Sequence, residues 1–179
     1  MPQKWKKISS EIVFDHKWFR LRKDTVQLPD GTLVDDYIVS ERPDVVLVFP
    51  VTSSGKVIMV EQYKHAAGEI LREFPGGFFN NLTENPVDAA RRELLEETGY
   101  ACSELTEIAA LVDNPTKDCN KTYLFIAHGC TPKQKQVLDK TEDISVVLVD
   151  VKDVENELTN GGVKATLSLA LGLLALRKI

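Results

Sequence analysis

The sequence predicts an α+β fold in which a mostly β chain carries two main helices and begins with a small β unit. Apolar runs of strand length recur along the chain and are separated by turn residues. Two longer segments, residues 85–99 and 164–177, carry helical signals instead. The length of 179 residues and the hydrophobic fraction of 43% are sufficient for a sizeable core. We therefore expect one sandwich of strands and helices behind a β-rich N-terminus.

The strands are predicted from apolar runs and from the turns between them. Residues 8–39 are expected to form short strands, with Leu28-Pro29-Asp30-Gly31-Thr32 as a hairpin turn. The apolar runs at 44–51 and 57–63 flank the turn residues 53–56 and predict two buried hairpin strands. Further strands are expected at 105–112, 121–127 and 144–151.

The first main helix has recognisable ends. Asn85 is a favourable N-cap, Pro86 suits the first helical position, and Gly99 is a typical residue just beyond a helix end. Inside it, Val87, Ala90 and Leu94 form a narrow apolar stripe that is expected to face a sheet. A short helix at 154–158 and a strongly apolar final helix at 164–177 are expected after the last strand.

Composition argues against several classes of partner. The chain has 22 basic and 27 acidic side chains, and this net charge of −5 gives no electrostatic reason to bind nucleic acid or an anionic membrane. No apolar run approaches the ~18 residues of a membrane span, and no secretory signal is visible after the basic start. Cys102, Cys119 and Cys130 have no CxxC spacing, which favours reduced thiols and a cytoplasmic location.

Three carboxylates of the first helix form a candidate metal site. Glu93, Glu96 and Glu97 are spaced i, i+3, i+4 and therefore project from one side of the helix. An ordinary solvated acidic face has the same pattern. The preceding segment 73–77 reads as a loop with two glycines, which allows a ligand to approach the backbone closely. Carboxylates beside such a loop suit Mg²⁺ or Mn²⁺.

Residues 77–100 resemble the Nudix box, G-x5-E-x7-R-E-U-x-E-E-x-G-U, where U is aliphatic. Residues 92–99 match its second half position by position, and seven residues separate Glu84 from Arg92 as the pattern requires. Two positions depart from it: six residues rather than five separate Gly77 from Glu84, and Tyr100 takes the last aliphatic place. The resemblance to the Nudix hydrolases implies an α/β/α sandwich with a mixed sheet.

Further resemblance points to the branch of the family that acts on ADP-ribose and related nucleotide sugars. It rests on residues 60–65 and 73–77, on Pro115, and on Thr141-Glu142-Asp143-Ile144 before a strand. This branch implies Mg²⁺-dependent hydrolysis of a nucleoside diphosphate sugar by a homodimer. Residues 1–40 would then be a dimerising β unit and residues 41–179 the Nudix hydrolase domain. A nucleoside triphosphate sanitising enzyme and a non-catalytic ADP-ribose-sensing domain are the alternatives.

The resemblance also assigns roles to particular residues. Glu93, Glu96 and Glu97 would be the main metal ligands, completed by Glu84 and a backbone carbonyl at Gly76 or Gly77. Arg92 would orient a glutamate, and Glu142 would be the general base, with Asp139, Asp143 and Asp118 as alternatives. Substrate contacts are expected from Lys64, Arg72, Glu73 and Phe78. Trp5, Trp18 and Phe19 would be dimer anchors or core residues.

Overall fold

The computed structural model describes residues 1–17 and 19–179, so the predicted anchor Trp18 lies outside the described residues. The chain divides into two compact units, one of residues 1–43 and 112–121 and one of residues 44–111 and 122–179. The elements, in chain order, are β1 (Lys6–His16), β2 (Phe19–Gln27), β3 (Leu33–Glu41), β4 (Asp44–Thr52), β5 (Lys56–Lys64), β6 (Glu69–Glu73), β7 (Gly76–Phe79), α1 (Pro86–Thr98), β8 (Tyr100–Ala101), β9 (Glu104–Val112), β10 (Lys121–Pro132), β11 (Ile144–Asp150), α2 (Val151–Thr159) and α3 (Thr166–Leu176).

The first unit is built on an antiparallel sheet in the order β1-β2-β3. The predicted hairpin turn joins β2 to β3, and the amide of Gly31 donates to the carbonyl of Leu28 over 3.0 Å. The strands have nine to eleven residues each, so the expectation of short strands was wrong. Residues 112–121 join this unit through hydrogen bonds such as that from the Ser40 amide to the Lys117 carbonyl, 2.7 Å.

The second unit contains a mixed sheet in the order β11-β5-β4-β10-β8, which confirms the mixed sheet that the family resemblance implied. β10 runs parallel to β4, whereas the pairs β4–β5, β5–β11 and β8–β10 are antiparallel. The predicted hairpin of 44–51 and 57–63 is confirmed by the pairing of Val51 with Val57. β6, β7 and β9 extend the sheet by pairing with β5, β4 and β10.

Alternating side chains of the central strands enter two cores, one on each face of this sheet. Val48, Ile58 and Phe125 pack with α1, whereas their chain neighbours Phe49, Met59 and Leu124 pack with α2 and α3. This period of two is the signature of a strand covered on both sides. The chain therefore has the predicted α+β sandwich. None of the helices in the described residues is long and apolar enough to cross a membrane.

Helix α1 has the predicted ends. The Asn85 side chain accepts a hydrogen bond from the Asp88 amide over 3.0 Å, and Gly99 adopts a left-handed φ of 76° while its amide donates to Leu95. Ala90 and Leu94 are buried, but Val87 is 39% exposed and does not belong to the buried stripe. At the start of the helix the buried face contains Ala89, two positions after Val87.

We expected the segment 73–77 to be a loop, but both of its glycines lie in a strand. β6 ends at Glu73 and β7 begins at Gly76, where Gly76 pairs with Leu47 and Gly77 with Val46 of β4. A Cβ at Gly76 would lie 2.1 Å from the Val46 carbonyl oxygen, so close backbone approach explains this glycine. The pairing fixes the backbone of β7 beside helix α1.

Candidate active site

Two of the three carboxylates on helix α1 are turned into the protein. Glu93 and Glu97 are 9% and 7% exposed, because their i, i+4 spacing places both on the face that packs against the sheet. The side chain of Glu96, by contrast, is 40% exposed. Buried charged groups need partners, and the arrangement around these carboxylates supplies them.

Arg92 connects three of the predicted metal ligands. Its Nε and Nη2 donate to the two carboxylate oxygens of Glu84 over 2.9 and 3.0 Å. Its Nη1 donates to Glu93 over 2.7 Å and to Glu96 over 3.0 Å. Hydrogen bonds from Arg92 lower the pKa of Glu84. The extra residue between Gly77 and Glu84 therefore leaves Glu84 within reach of the carboxylates on the helix.

Glu97 is held differently, by the backbone of β7. The Gly76 amide donates to Glu97 Oε2 over 2.9 Å. The pKa of Glu97 is raised to about 8, mainly by burial; the charges of Glu93 and Glu142 add to the shift, whereas the Gly76 hydrogen bond and the charge of Lys64 oppose it. The pKa of Glu93 is likewise raised, mainly by burial. Burial therefore disfavours the charged form of both carboxylates.

Glu142 lies close enough to act on both buried carboxylates. Its charge raises the pKa of Glu93 and of Glu97. A turn fixes it, in which Glu142 Oε2 accepts from the Asp139 amide and the Glu142 amide donates to the Asp139 carbonyl, each over 2.9 Å. The other candidate base, Asp118, pairs with Arg42 at 3.8 Å inside the first unit.

β7 forms a wall against the Glu93 carboxylate. A Cβ at Gly77 would lie 2.7 Å from the carboxylate carbon and from both oxygens of Glu93. Only glycine leaves this space free, and the Gly77 backbone is therefore adjacent to a buried anionic side chain. Acidic oxygens, a close backbone strand and a further carboxylate on a turn make a site that suits a cation.

Comparison with known proteins identifies the family of this chain. The sequence profile of the NUDIX domain matches residues 41–168. The chain belongs to the NUDIX family. Residues 5–40 also match the nucleoside diphosphate sugar hydrolase N-terminal domain. The chain is therefore a Nudix pyrophosphatase of the nucleoside diphosphate sugar hydrolase type, similar to ADP-ribose pyrophosphatases.

Two relatives and one solved structure resemble most of this chain. An ADP-ribose pyrophosphatase of Bacillus subtilis (strain 168) is 34% identical over 83% of this chain and 80% of its own. The "Methanol dehydrogenase activator" of Bacillus methanolicus is 32% identical over 79% of this chain and 76% of its own. A crystal structure of an ADP compounds hydrolase matches the fold with a TM-score of 0.85 at 19% identity, over 99% and 95% of the two chains.

The residues that we expected to contact substrate are engaged in ion pairs or exposed. Arg72 contacts Glu61 at 2.7 Å and Glu157 at 2.6 Å. Lys64 forms an ion pair with Glu73 at 3.1 Å. Its charge also lowers the pKa of Glu97, which indicates that Lys64 lies near the Nudix carboxylates. Phe78 follows the glycines on β7 and is partly exposed. Their roles toward the substrate stay predictions.

Sequence reasoning missed Gln136. Its Nε2 donates to the backbone carbonyl of Glu97 over 2.5 Å and to that of Ile144 over 3.1 Å. These bonds connect the end of the Nudix helix to the start of β11, next to the turn that carries Glu142. A single glutamine in an irregular segment has no spacing signal, so only the structure could find it.

The donor set suits a divalent cation. Among the residues that the structure describes, no three His, Cys, Asp or Glu side chains already form a metal-binding cluster. The available donors are nevertheless carboxylate and carbonyl oxygens, which Mg²⁺ prefers. The charges of Glu96 and Glu142 raise the pKa of Glu93, and the charges of Glu93 and Glu142 raise the pKa of Glu97. A bound cation would relieve this repulsion between carboxylates. By donor chemistry, the Nudix residues therefore fit the metal that the family implies.

Proposed function

We propose that this chain hydrolyses the pyrophosphate bond of ADP-ribose to AMP and ribose 5-phosphate with Mg²⁺, for which Mn²⁺ can substitute. The observation that carries the proposal is the grouping of Glu93, Glu97 and Glu142 in a chain whose Bacillus subtilis relative is named an ADP-ribose pyrophosphatase. A chain that only sensed the nucleotide would not need these three carboxylates.

Glu93, Glu96 and Glu97 would hold the cation, with Glu84 and the carbonyl of Gly77 as further ligands. The bound cation would neutralise charge on the phosphate oxygens of the substrate. Arg92 keeps Glu84, Glu93 and Glu96 in place through the hydrogen bonds described above. It acts as a positioning residue, because its guanidinium is already occupied by these carboxylates.

Glu142 would be the general base. It takes a proton from the attacking water, the new phosphorus–oxygen bond forms, and the anhydride bond breaks with the second phosphate as leaving group. Two observations support this role: the turn with Asp139 fixes the Glu142 carboxylate, and the charge of Glu142 raises the pKa of Glu93 and of Glu97. Lys64 and Arg72 would contact phosphate oxygens, Phe78 would stack on the base, and Glu73 would keep Lys64 oriented.

A substrate panel tests this proposal. The full chain is incubated with Mg²⁺ and ADP-ribose, other nucleoside diphosphate sugars or nucleoside triphosphates, and the products are separated by chromatography. We expect ADP-ribose to give AMP and ribose 5-phosphate with the highest kcat/KM. Preferred release of pyrophosphate from a triphosphate would overturn the proposal in favour of a sanitising enzyme. Binding of ADP-ribose without turnover would favour a sensing domain.

A further inference from the structure

Cys102 directly follows β8, and Cys130 lies in β10, the strand that pairs with β8. In the antiparallel pairing of β8 with β10, Tyr100 lies opposite Pro132 and Ala101 opposite Thr131. Extending this register by one residue beyond β8 places Cys102 opposite Cys130. Beyond this pair the register shifts by one residue, because the Ser103 amide donates to the carbonyl of His128 rather than to that of Gly129, over 3.0 Å.

Directly opposite residues of antiparallel strands have Cα atoms about 4.5–5.5 Å apart and side chains on the same face. Disulfides span Cα distances of about 4.4–6.8 Å. Both side chains belong to the same core, where Cys130 is buried and Cys102 is packed against it from the edge. Their thiols interact: burial mainly, and the neighbouring Cys102 in addition, raise the pKa of Cys130 to about 12.

The two thiols differ in access and partners. Cys130 is 2% exposed, and its thiol donates to the carbonyl of Ala127 over 3.6 Å. Cys102 is half-buried, and Nη1 of Arg91 donates to its sulfur over 3.3 Å. A small oxidant can therefore reach Cys102, whereas Cys130 can react only with a group that is already inside the core.

We propose that Cys102 and Cys130 form a redox modification site, which a peroxide converts into an intramolecular disulfide between β10 and the residue that follows β8. The Cys102 sulfur attacks the peroxide, the O–O bond breaks, and a sulfenic acid and one water result. The Cys130 sulfur then attacks the Cys102 sulfur, the S–O bond breaks, and the hydroxide leaves with the Cys130 proton as a second water. Two thiols are oxidised and one peroxide is reduced to two waters.

Formation of the disulfide would turn the Cys102 sulfur away from Arg91 and towards β10. It would enclose residues 103–129, which include β9 and most of β10. A small-molecule thiol reverses the reaction by exchange. The exposed Cys119 lies in the other unit and takes no part.

Thiol counting in the full chain tests the proposal. The variant Cys119→Ser keeps only the two thiols in question and is treated with hydrogen peroxide, denatured and alkylated. We expect both thiols to be lost together, the intact mass to fall by two hydrogens, and a peptide containing both cysteines to appear until a reductant is added. Adding Cys130→Ser should stop the reaction at a sulfenic acid on Cys102 that dimedone traps.

Adding Cys102→Ser instead should leave Cys130 reduced. Three results would overturn the proposal: no loss of thiols in Cys119→Ser, an oxidised Cys102 beside a free Cys130, or a disulfide between two copies of the chain. Each of these three results is measured on the Cys119→Ser variant, in which Cys102 and Cys130 are both present, so the proposal does not depend on the folding of the double variants.

Discussion

At the scale of single residues, the four acidic side chains of the site differ in their hydrogen-bond donors. Glu84, Glu93 and Glu96 each accept a hydrogen bond from Arg92, whereas Glu97 accepts one from the Gly76 amide. One guanidinium thus offsets the repulsion among three carboxylates, and Glu97 stays without a cationic hydrogen-bond partner in this set. Its pKa of about 8 reflects this difference together with its burial.

The first prediction separates a proton acceptor from a metal ligand. Glu142→Gln should lower kcat by about two orders of magnitude or more and change KM little, because the carboxylate acts in the transition state. Glu97→Gln should also lower kcat strongly, but higher Mg²⁺ or substitution by Mn²⁺ should restore part of it, since a lost ligand weakens metal binding. Steady-state kinetics over a range of metal concentrations measures both effects.

Asp143→Asn and Asp139→Asn are the neighbouring controls, and Asp118→Asn tests the candidate in the other unit. We expect all three to keep kcat within about tenfold of the wild type under saturating metal. Near-normal kcat for Glu142→Gln, with a large loss for one of these, would move the base to that residue and leave the family assignment intact.

The second prediction contrasts the two adjacent glycines of β7. Ala at Gly77 meets the end of the Glu93 side chain, which can rotate, so Gly77→Ala should displace this carboxylate and reduce activity at least tenfold with a small loss of stability. Ala at Gly76 meets the backbone of β4, which cannot move away, so Gly76→Ala should reduce the free energy of unfolding by about 2 kcal/mol or more.

Urea unfolding and kinetics on both variants decide this contrast. A Gly77→Ala protein with full activity would show that the Glu93 carboxylate does not need its observed position. Equal stability of the two variants would contradict the difference between a side-chain contact and a backbone contact.

At the scale of elements, the sequence contained enough local information for α1 and too little for β7. Asn85, Pro86 and Gly99 act within a few residues, so the helix ends could be predicted and are confirmed. β7 has four residues, two of them glycine, and forms because β4 offers a partner. Pairing with a strand that is distant in sequence leaves no local signal, and the same reason hides the two bonds of Gln136.

The third prediction concerns the link that Gln136 makes between elements. Gln136→Ala removes the donor to the Glu97 and Ile144 carbonyls, which should loosen the segment that carries Glu142. We expect kcat to fall about tenfold with little change in KM for the metal–substrate complex, and stability to fall by about 1 kcal/mol. Kinetics and urea unfolding give the two numbers.

Gln134→Ala is the matched control, because the described contact of Gln134 to this helix end is its backbone amide on the Gly99 carbonyl, which the substitution retains. Loss of stability without loss of kcat in Gln136→Ala would reduce Gln136 to a structural role. Comparable loss of kcat in Gln134→Ala would point to the whole segment rather than to this side chain.

At the scale of the whole molecule, the two units differ in how well they bury their apolar side chains. The mixed sheet has helices on both faces, whereas every residue of β1 is exposed, including Ile12 and Phe14. The sequence predicts that this unit has more aromatic surface than it can bury alone, and both Trp5 and Phe19 are exposed. The sequence could not predict whether a partner covers these side chains, because an exposed apolar surface and an unoccupied interface have the same amino-acid composition.

The last prediction is that the chain is a homodimer in which the β1–β3 sheet takes part. Exposed strands with several large apolar side chains are unfavourable in a monomer, since an open edge and an apolar surface both invite pairing with another chain. At micromolar concentration, sedimentation should give twice the monomer mass of 20.0 kDa.

Phe14→Glu, at a side chain that is 51% exposed, should shift the protein towards monomer, because it introduces a charge into the interface. Leu173→Glu on α3, at a comparable 42% exposure, should leave the dimer intact. A monomeric wild-type chain at this concentration would refute the dimer, and dissociation by Leu173→Glu but not by Phe14→Glu would move the interface away from the β1–β3 sheet.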